Sequence, residues 1–261
     1  MPPASPQASG TSLLPPRFDR KYLFESGFSP AGQSESKLEA LREQNKGQNV
    51  LSKTLLDGYW RFRRENHAAD KGRYEQLAKL GQAPAALVIA CCDSRVDVSA
   101  IFDSGPGDLF IVRNVANLVP PFEPDGKFHG TSAAVEYAAE VLNVPNIIVL
   151  GHSHCGGIAA YREKLKGVPD NTDFIGTWLT QLDGLEVKDT DIKTFGQETA
   201  FELAGVRQSI ANLRMFDAIR KREEEGILAL HGLHFDIGSG MVLALDGETN
   251  TFSPLPETVE V

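Results

Sequence analysis

The chain has 261 residues, with 35 acidic against 26 basic side chains, a formal net charge of −9 and 41% apolar content. That length can bury a core as one domain or two, and the acidic balance argues against a nucleic-acid or anionic-membrane partner. No apolar run approaches the ~20 residues of a membrane span, and three cysteines are too few for a disulfide framework, which points to a reducing, cytoplasmic compartment.

In chain order, residues 1–35 read as a flexible N-terminal tail, rich in Pro and Ser at its start and without the continuous apolar stretch of a secretory signal. From Ser36 to about Leu80 the spacing is helical. Leu51, Leu55, Tyr59 and Phe62 fall on one face and Leu56 and Trp60 widen it. So broad a face needs a cover, either the chain's own sheet or a partner's. Residues 36–250 read as a single domain. Its first strand is Ala85–Cys91 and its second Leu109–Val112, with a Gly/Pro-containing loop between them. A helical pattern over Thr131–Leu142 leads to a strand at Asn146–Leu150. Helices follow over Gly156–Leu165, Phe174–Leu185 and Glu198–Leu213, with more helix through Arg222 and a stop at Gly226. Ile227–Leu230, His234–Ile237 and Met241–Leu245 read as strand material, ending in a hairpin that turns at Gly238–Ser239–Gly240. Residues 251–261 are left as a C-terminal tail. The expected class is α/β: a mainly parallel central sheet flanked by helices, with an N-terminal helical arm and a C-terminal edge hairpin.

Polar chemistry concentrates at two strand ends. Cys91-Cys92-Asp93-Ser94-Arg95 follows the first strand, and Gly151-His152-Ser153-His154-Cys155-Gly156-Gly157 closes the third. Strand, crossover and strand imply parallel pairing, which brings both ends to one edge of the sheet. Open α/β sheets bind ligands at that carboxyl edge. Catalytic zinc takes three protein ligands and leaves a fourth position for water. Cys91, His152 and Cys155 offer two thiolates and an imidazole, in a spacing that only a folded sheet can close. Alternation puts Asp93 on the side of Cys91 and turns Cys92 the other way, as a small buried core residue. His154 reads as a residue that supports the ligands from behind or as a structural one.

These motifs resemble the β-class carbonic anhydrases. The similarity runs from about Leu55 to Leu245 and includes Lys79–Pro84, Pro106–Phe110, Arg113–Pro121, Gly130-Thr131, Glu136-Tyr137 and His231–Ile237. The resemblance implies one zinc ion per chain, held by Cys91, His152 and Cys155, with Asp93 and Arg95 as the carboxylate–guanidinium pair beside it. It implies that Gln82 contacts substrate and that Phe110, Val115 and Tyr137 wall a CO₂ pocket to which a partner subunit adds aromatics. Gly156 would offer its backbone N–H to bicarbonate, and Gly157 lets the chain pass close. The implied reaction is reversible hydration of CO₂ to bicarbonate and a proton by zinc-bound hydroxide, the work of a hydro-lyase, in a homodimer or higher homo-oligomer. Hydrolysis of CS₂ or COS on the same site, and non-catalytic zinc or bicarbonate binding, stay open as alternatives. One branch of the family carries a tryptophan three positions before the first ligand. Val88 stands there instead, and with Gln82 present the chain resembles the plant-type branch.

Overall fold

The structure, a computed structural model, describes residues 51–256 except 126, 170 and 171. The expected tail over 1–35, the start of the helical arm over 36–50 and the last five residues lie outside the described residues. Among the described residues is one sheet in the order β2-β1-β3-β4-β5-β6, built from β1 (Ala86–Cys91), β2 (Leu109–Asn114), β3 (Asn146–His152), β4 (Ala229–Phe235), β5 (Val242–Leu245) and β6 (Phe252–Pro254). β2, β1, β3 and β4 run parallel, and β5 and β6 return antiparallel. Every residue of β1 is buried, as its unbroken apolar run requires of a strand covered on both faces. Leu87 and Ile89 enter one core and Val88 and Ala90 the other, following the period of two.

Among the described residues the α-helices are α1 (Lys53–Arg64), α2 (Asn66–Ala69), α3 (Lys71–Leu80), α4 (Val98–Ile101), α5 (Gly130–Glu136), α6 (Gly156–Leu165), α7 (Ile175–Leu179), α8 (Asp189–Phe195), α9 (Gln197–Leu213) and α10 (Asp217–Glu224). Leu203, Val206 and Ile210 of α9, with Val135 and Ala138 of the crossover, fill the larger core against Leu87, Ile89, Ile147 and Val149. Two glycines set how closely α9 lies on the sheet. A Cβ at Gly151 would come within 2.6 Å of one Val206 methyl, and one at Gly232 within 3.0 Å of the other. The helix therefore rests on bare backbone of β3 and β4.

The arm formed by α1 to α3 contains no buried residue. It is tied down where Arg73 binds the Pro106 carbonyl and Asp108 and where Leu77 fills the space above Gly107, whose φ of +88° no side chain would favour. Leu55, Tyr59 and Trp60 stay exposed.

Several expectations are corrected. β4 is one strand through two expected pieces, because Gly232 is covered by Val206 and Leu245 rather than marking a break. The expected C-terminal tail begins with strand β6, whose Phe252 is buried beneath the Arg207 guanidinium, 4.8 Å from the ring centroid. The crossover ends in a π-helical turn, Tyr137–Val141, and the helix expected over 174–185 shortens to α7 and a 3-10 turn. No helix of the described residues is long and apolar enough to cross a membrane.

Candidate metal centre

Cys91 is the last residue of β1, His152 the last of β3, and Cys155 caps the start of α6. Because β1 and β3 are adjacent and parallel, these ends meet. A ring nitrogen of His152 and the two sulfurs lie within 4.8 Å of one another, and all three residues are buried. His152 Nδ1 faces the Ser153 carbonyl at 2.9 Å, so it carries the proton and Nε2 is left bare. That Nε2 is buried without a hydrogen-bond partner. The thiols share their protons unequally. Contact with Cys155 lowers the Cys91 thiol, with burial opposing and His152 assisting, and the same contact raises Cys155. Two sulfurs and an orphaned imidazole nitrogen fit a divalent metal of borderline softness, which deprotonates both thiols on binding.

Local backbone makes the cage. After β3, His154 turns in the left-handed region at φ 57°, and this lets Cys155 face back toward Cys91. α6 then starts against the turn at Val115–Asn117, where a Cβ on Gly157 would sit 2.9 Å from both Val115 Cγ1 and Ala116 Cβ. Ala116 (φ 65°) and Asn117 (φ 49°) are also left-handed. They are held by Asn114, which spans the turn to the Leu118 N–H and C=O, and by the Ser209 hydroxyl, which donates to the Asn117 carbonyl. The Trp178 indole N–H donates to the Val115 carbonyl at 2.8 Å.

Asp93 lies beside this cage. Arg95 Nε donates to Oδ1 at 2.9 Å and Nη2 to Oδ2 at 2.7 Å, and the Arg95 backbone N–H adds a third bond. The Arg95 side chain holds the Asp93 carboxyl down to about 2, against the effect of burial. Oδ2 is 3.9 Å from the bare Nε2 of His152. Arg113 ties the carbonyls of Cys91 and Asp93 together. Cys92 is exposed, contrary to expectation. It lies one residue past the end of β1, where the sheet no longer covers the opposite face. The His154 ring is exposed too, with Nδ1 3.7 Å from Glu198.

Not every expected site residue joins this group. Gly156 follows Cys155 directly, and Val115 packs against the next residue, Gly157. Phe110 pairs with Leu87 while Asn114 pairs with Cys91, which sets Phe110 four residues, ~13 Å of strand, back from Cys91. Its ring lies 5.8 Å from that of Tyr137, and Gln82 precedes the start of β1. Phe110 and Tyr137 stand together toward the other end of the sheet edge. Glu202 went unnoticed in the sequence. It is buried, with one oxygen accepting the Cys155 N–H at 3.0 Å and the other 2.9 Å from His234 Nε2. A lone acid amid Ala200, Leu203, Ala204 and Val206 was the available signal.

The sequence profile of the carbonic anhydrase family matches residues 86–242. A carbonic anhydrase of Pseudomonas aeruginosa is 37% identical over 211 residues, covering 79% of this chain and 93% of that one. Beta carbonic anhydrase 3 of Arabidopsis thaliana is 37% identical over 195 residues, covering 71% and 73%. The solved β-carbonic anhydrase CcaA superposes with a TM-score of 0.68 at 33% identity, covering 79% and 92%. This chain belongs to the β-class carbonic anhydrases. A tetrameric β-carbonic anhydrase of Sordaria macrospora is also similar, with a TM-score of 0.57 at 29% identity over 81% and 98%. Within this β-class carbonic anhydrase the profile spans the whole sulfur–imidazole cage, Asp93, Arg95 and Glu202, whereas the arm and Gln82 precede it.

Proposed function

We propose that this protein catalyses the reversible hydration of CO₂ to bicarbonate and a proton, with one zinc ion per chain held by Cys91, His152 and Cys155. The observation that carries the reading is the bare, buried Nε2 of His152 inside a two-sulfur cage, overlooked by a carboxylate that Arg95 keeps ionised. When bound, zinc supplies Lewis acidity that lowers the pKa of a coordinated water from about 15.7 to about 7.

The chain's own groups supply the rest. Asp93, clamped through both oxygens, accepts a hydrogen bond from the nucleophile and thereby aims a lone pair at carbon. Arg95 keeps that carboxylate from turning toward the metal. The backbone N–H of Gly156, at the start of α6, suits the anionic product. Val115 gives the apolar side on which CO₂ rests. Gln82, Phe110 and Tyr137 act in this reading from a second copy, whose sheet edge closes the pocket. The uncovered arm and the tetrameric relative support a homodimer or larger homo-oligomer, and the unpaired cysteines suit the cytoplasm.

The test is stopped-flow CO₂ hydration on zinc-loaded protein, with zinc counted per chain. The expected result is about one zinc per chain, lost in Cys155→Ala together with activity. Hydration no faster than buffer from a fully loaded protein would overturn the reading.

A further inference from the structure

The His154–Cys155 peptide is gripped at both ends. Arg95 Nη2 donates to its carbonyl at 3.0 Å, and Glu202 Oε1 accepts its N–H at 3.0 Å. The rotation of this one peptide plane decides where the Cys155 sulfur points. Its left-handed His154 needs outside support, since a residue with a side chain holds that conformation only where its surroundings over-determine it.

We propose that Glu202 is a positioning residue for the metal: aimed by His234, its carboxylate locks the His154–Cys155 peptide and so fixes the third ligand for zinc retention. The inference rests on the zinc site proposed above. Glu202 is 4% exposed and His234 2%, and a carboxylate at such depth is costly unless its oxygens are bonded. Both are used, by donors on two different elements. The reach comes from the glycines. With Gly151 and Gly232 admitting Val206 onto the strands, Glu202, four residues earlier on the same face of α9, stands above the point where the chain leaves β3 for Cys155. His234 pairs in register with Gly151 and lies alongside. Its other nitrogen, Nδ1, is buried without a partner, so Glu202 is the hydrogen-bonding anchor of the ring. A carboxylate placed only to satisfy His234 would have no need to meet the peptide that carries a metal ligand.

Two conservative variants of the zinc-loaded full chain separate reach from charge. Glu202→Gln keeps the length and a carbonyl oxygen for the Cys155 N–H, and its NH₂ donates to His234 Nε2 once the ring proton moves to Nδ1, which has no partner. Glu202→Asp keeps the charge and retracts it by one methylene, while Val206 pins the helix against following. Zinc release into excess chromophoric chelator is timed, with cobalt(II) spectra and zinc-free melting curves alongside. Glu202→Gln is expected to hold zinc much as the unaltered chain does. Glu202→Asp is expected to release it ~10–100-fold faster and to shift the cobalt spectrum, out of proportion to any change in zinc-free melting. Release from Glu202→Asp at the unaltered rate overturns the proposal, as does Glu202→Gln losing zinc as fast as Glu202→Asp, which would make charge the cause. A wild-type chain that takes up no zinc would sink the metal reading instead.

Discussion

Asp93 sits between a guanidinium and the bare Nε2 of His152, 3.9 Å away, and its usefulness in the proposed reaction depends on which one it faces. Arg95 wins through two side-chain hydrogen bonds in the fork geometry that only arginine presents to a carboxylate. Arg95→Ala removes both, and the carboxylate becomes free to swing toward the metal. Hydration activity is expected to fall at least ~10²-fold, the scale of losing one positioned transition-state contact, while zinc per chain stays at its original level. Near-normal turnover in stopped flow would show that the clamp is dispensable. At this scale the sequence was most legible, because residue type restricts chemistry so strongly. Two cysteines and a histidine at the ends of apolar runs have few other uses. Glu202 escaped notice because its partners lie 47 and 32 positions away, and only packing of α9 on the glycines brings them together. Cys92 was misread because alternation describes a strand and says nothing of the first residue beyond it.

At the scale of elements, the last strand depends on a charged clasp. Arg207 bonds Asp191 at 2.5 Å and the Asn250 side chain at 3.0 Å and lies over the Phe252 ring. Asp191 is buried, so Arg207→Met leaves an unpaired carboxylate inside the protein. A loss of about 3 kcal/mol in denaturant unfolding is expected, with hydrogen exchange accelerating first over 250–254. A smaller, pH-dependent effect belongs to the β4–β5 turn. Asp236 accepts the Ser239 hydroxyl and amide, both at 2.7 Å, and these bonds lower its pKa beneath the ordinary 3.8. A depressed carboxylate stabilises the fold fully above its unfolded value and loses that contribution as pH falls through its folded one. Asp236→Ala should therefore cost about 0.5–1 kcal/mol at neutral pH, and the gap between the two melting curves should close below pH 3.8. An unchanged gap at pH 2 to 3 would rule out the ionised form as the cause. Strand β6 was not legible because three residues ending in proline show no alternation. The parallel strands were legible because burial on both faces leaves an unbroken apolar run.

At the scale of the whole molecule, the proposed reading gives each chain the two halves of a pocket at separate places in the sheet. The sulfur–imidazole cluster sits at the carboxyl end of β1, whereas Phe110 and Tyr137 sit about four residues back along the sheet. Periodicity could identify both halves but not their separation, since register is a property of the sheet. In the reading offered here a two-fold partner joins them, and the molecule has as many complete pockets as it has pairs of opposed halves. Dilution below the dissociation constant should then abolish hydration before any zinc is lost, as light scattering and stopped flow on the same samples would reveal.

That division of labour has a genetic consequence. In the proposed reading a chain disabled at Cys91 would still lend a sound wall, and a chain disabled at Phe110 and Tyr137 would still lend a sound cage. Each alone would be inactive as a homodimer. Unfolded together and refolded as a mixture, they would form hybrids in which one pocket takes both of its parts from undamaged sources, while its twin receives both defects. Random pairing makes half the dimers hybrid, so activity should return to roughly a quarter of the original. Two defective alleles of this gene would thus complement one another in the same cell.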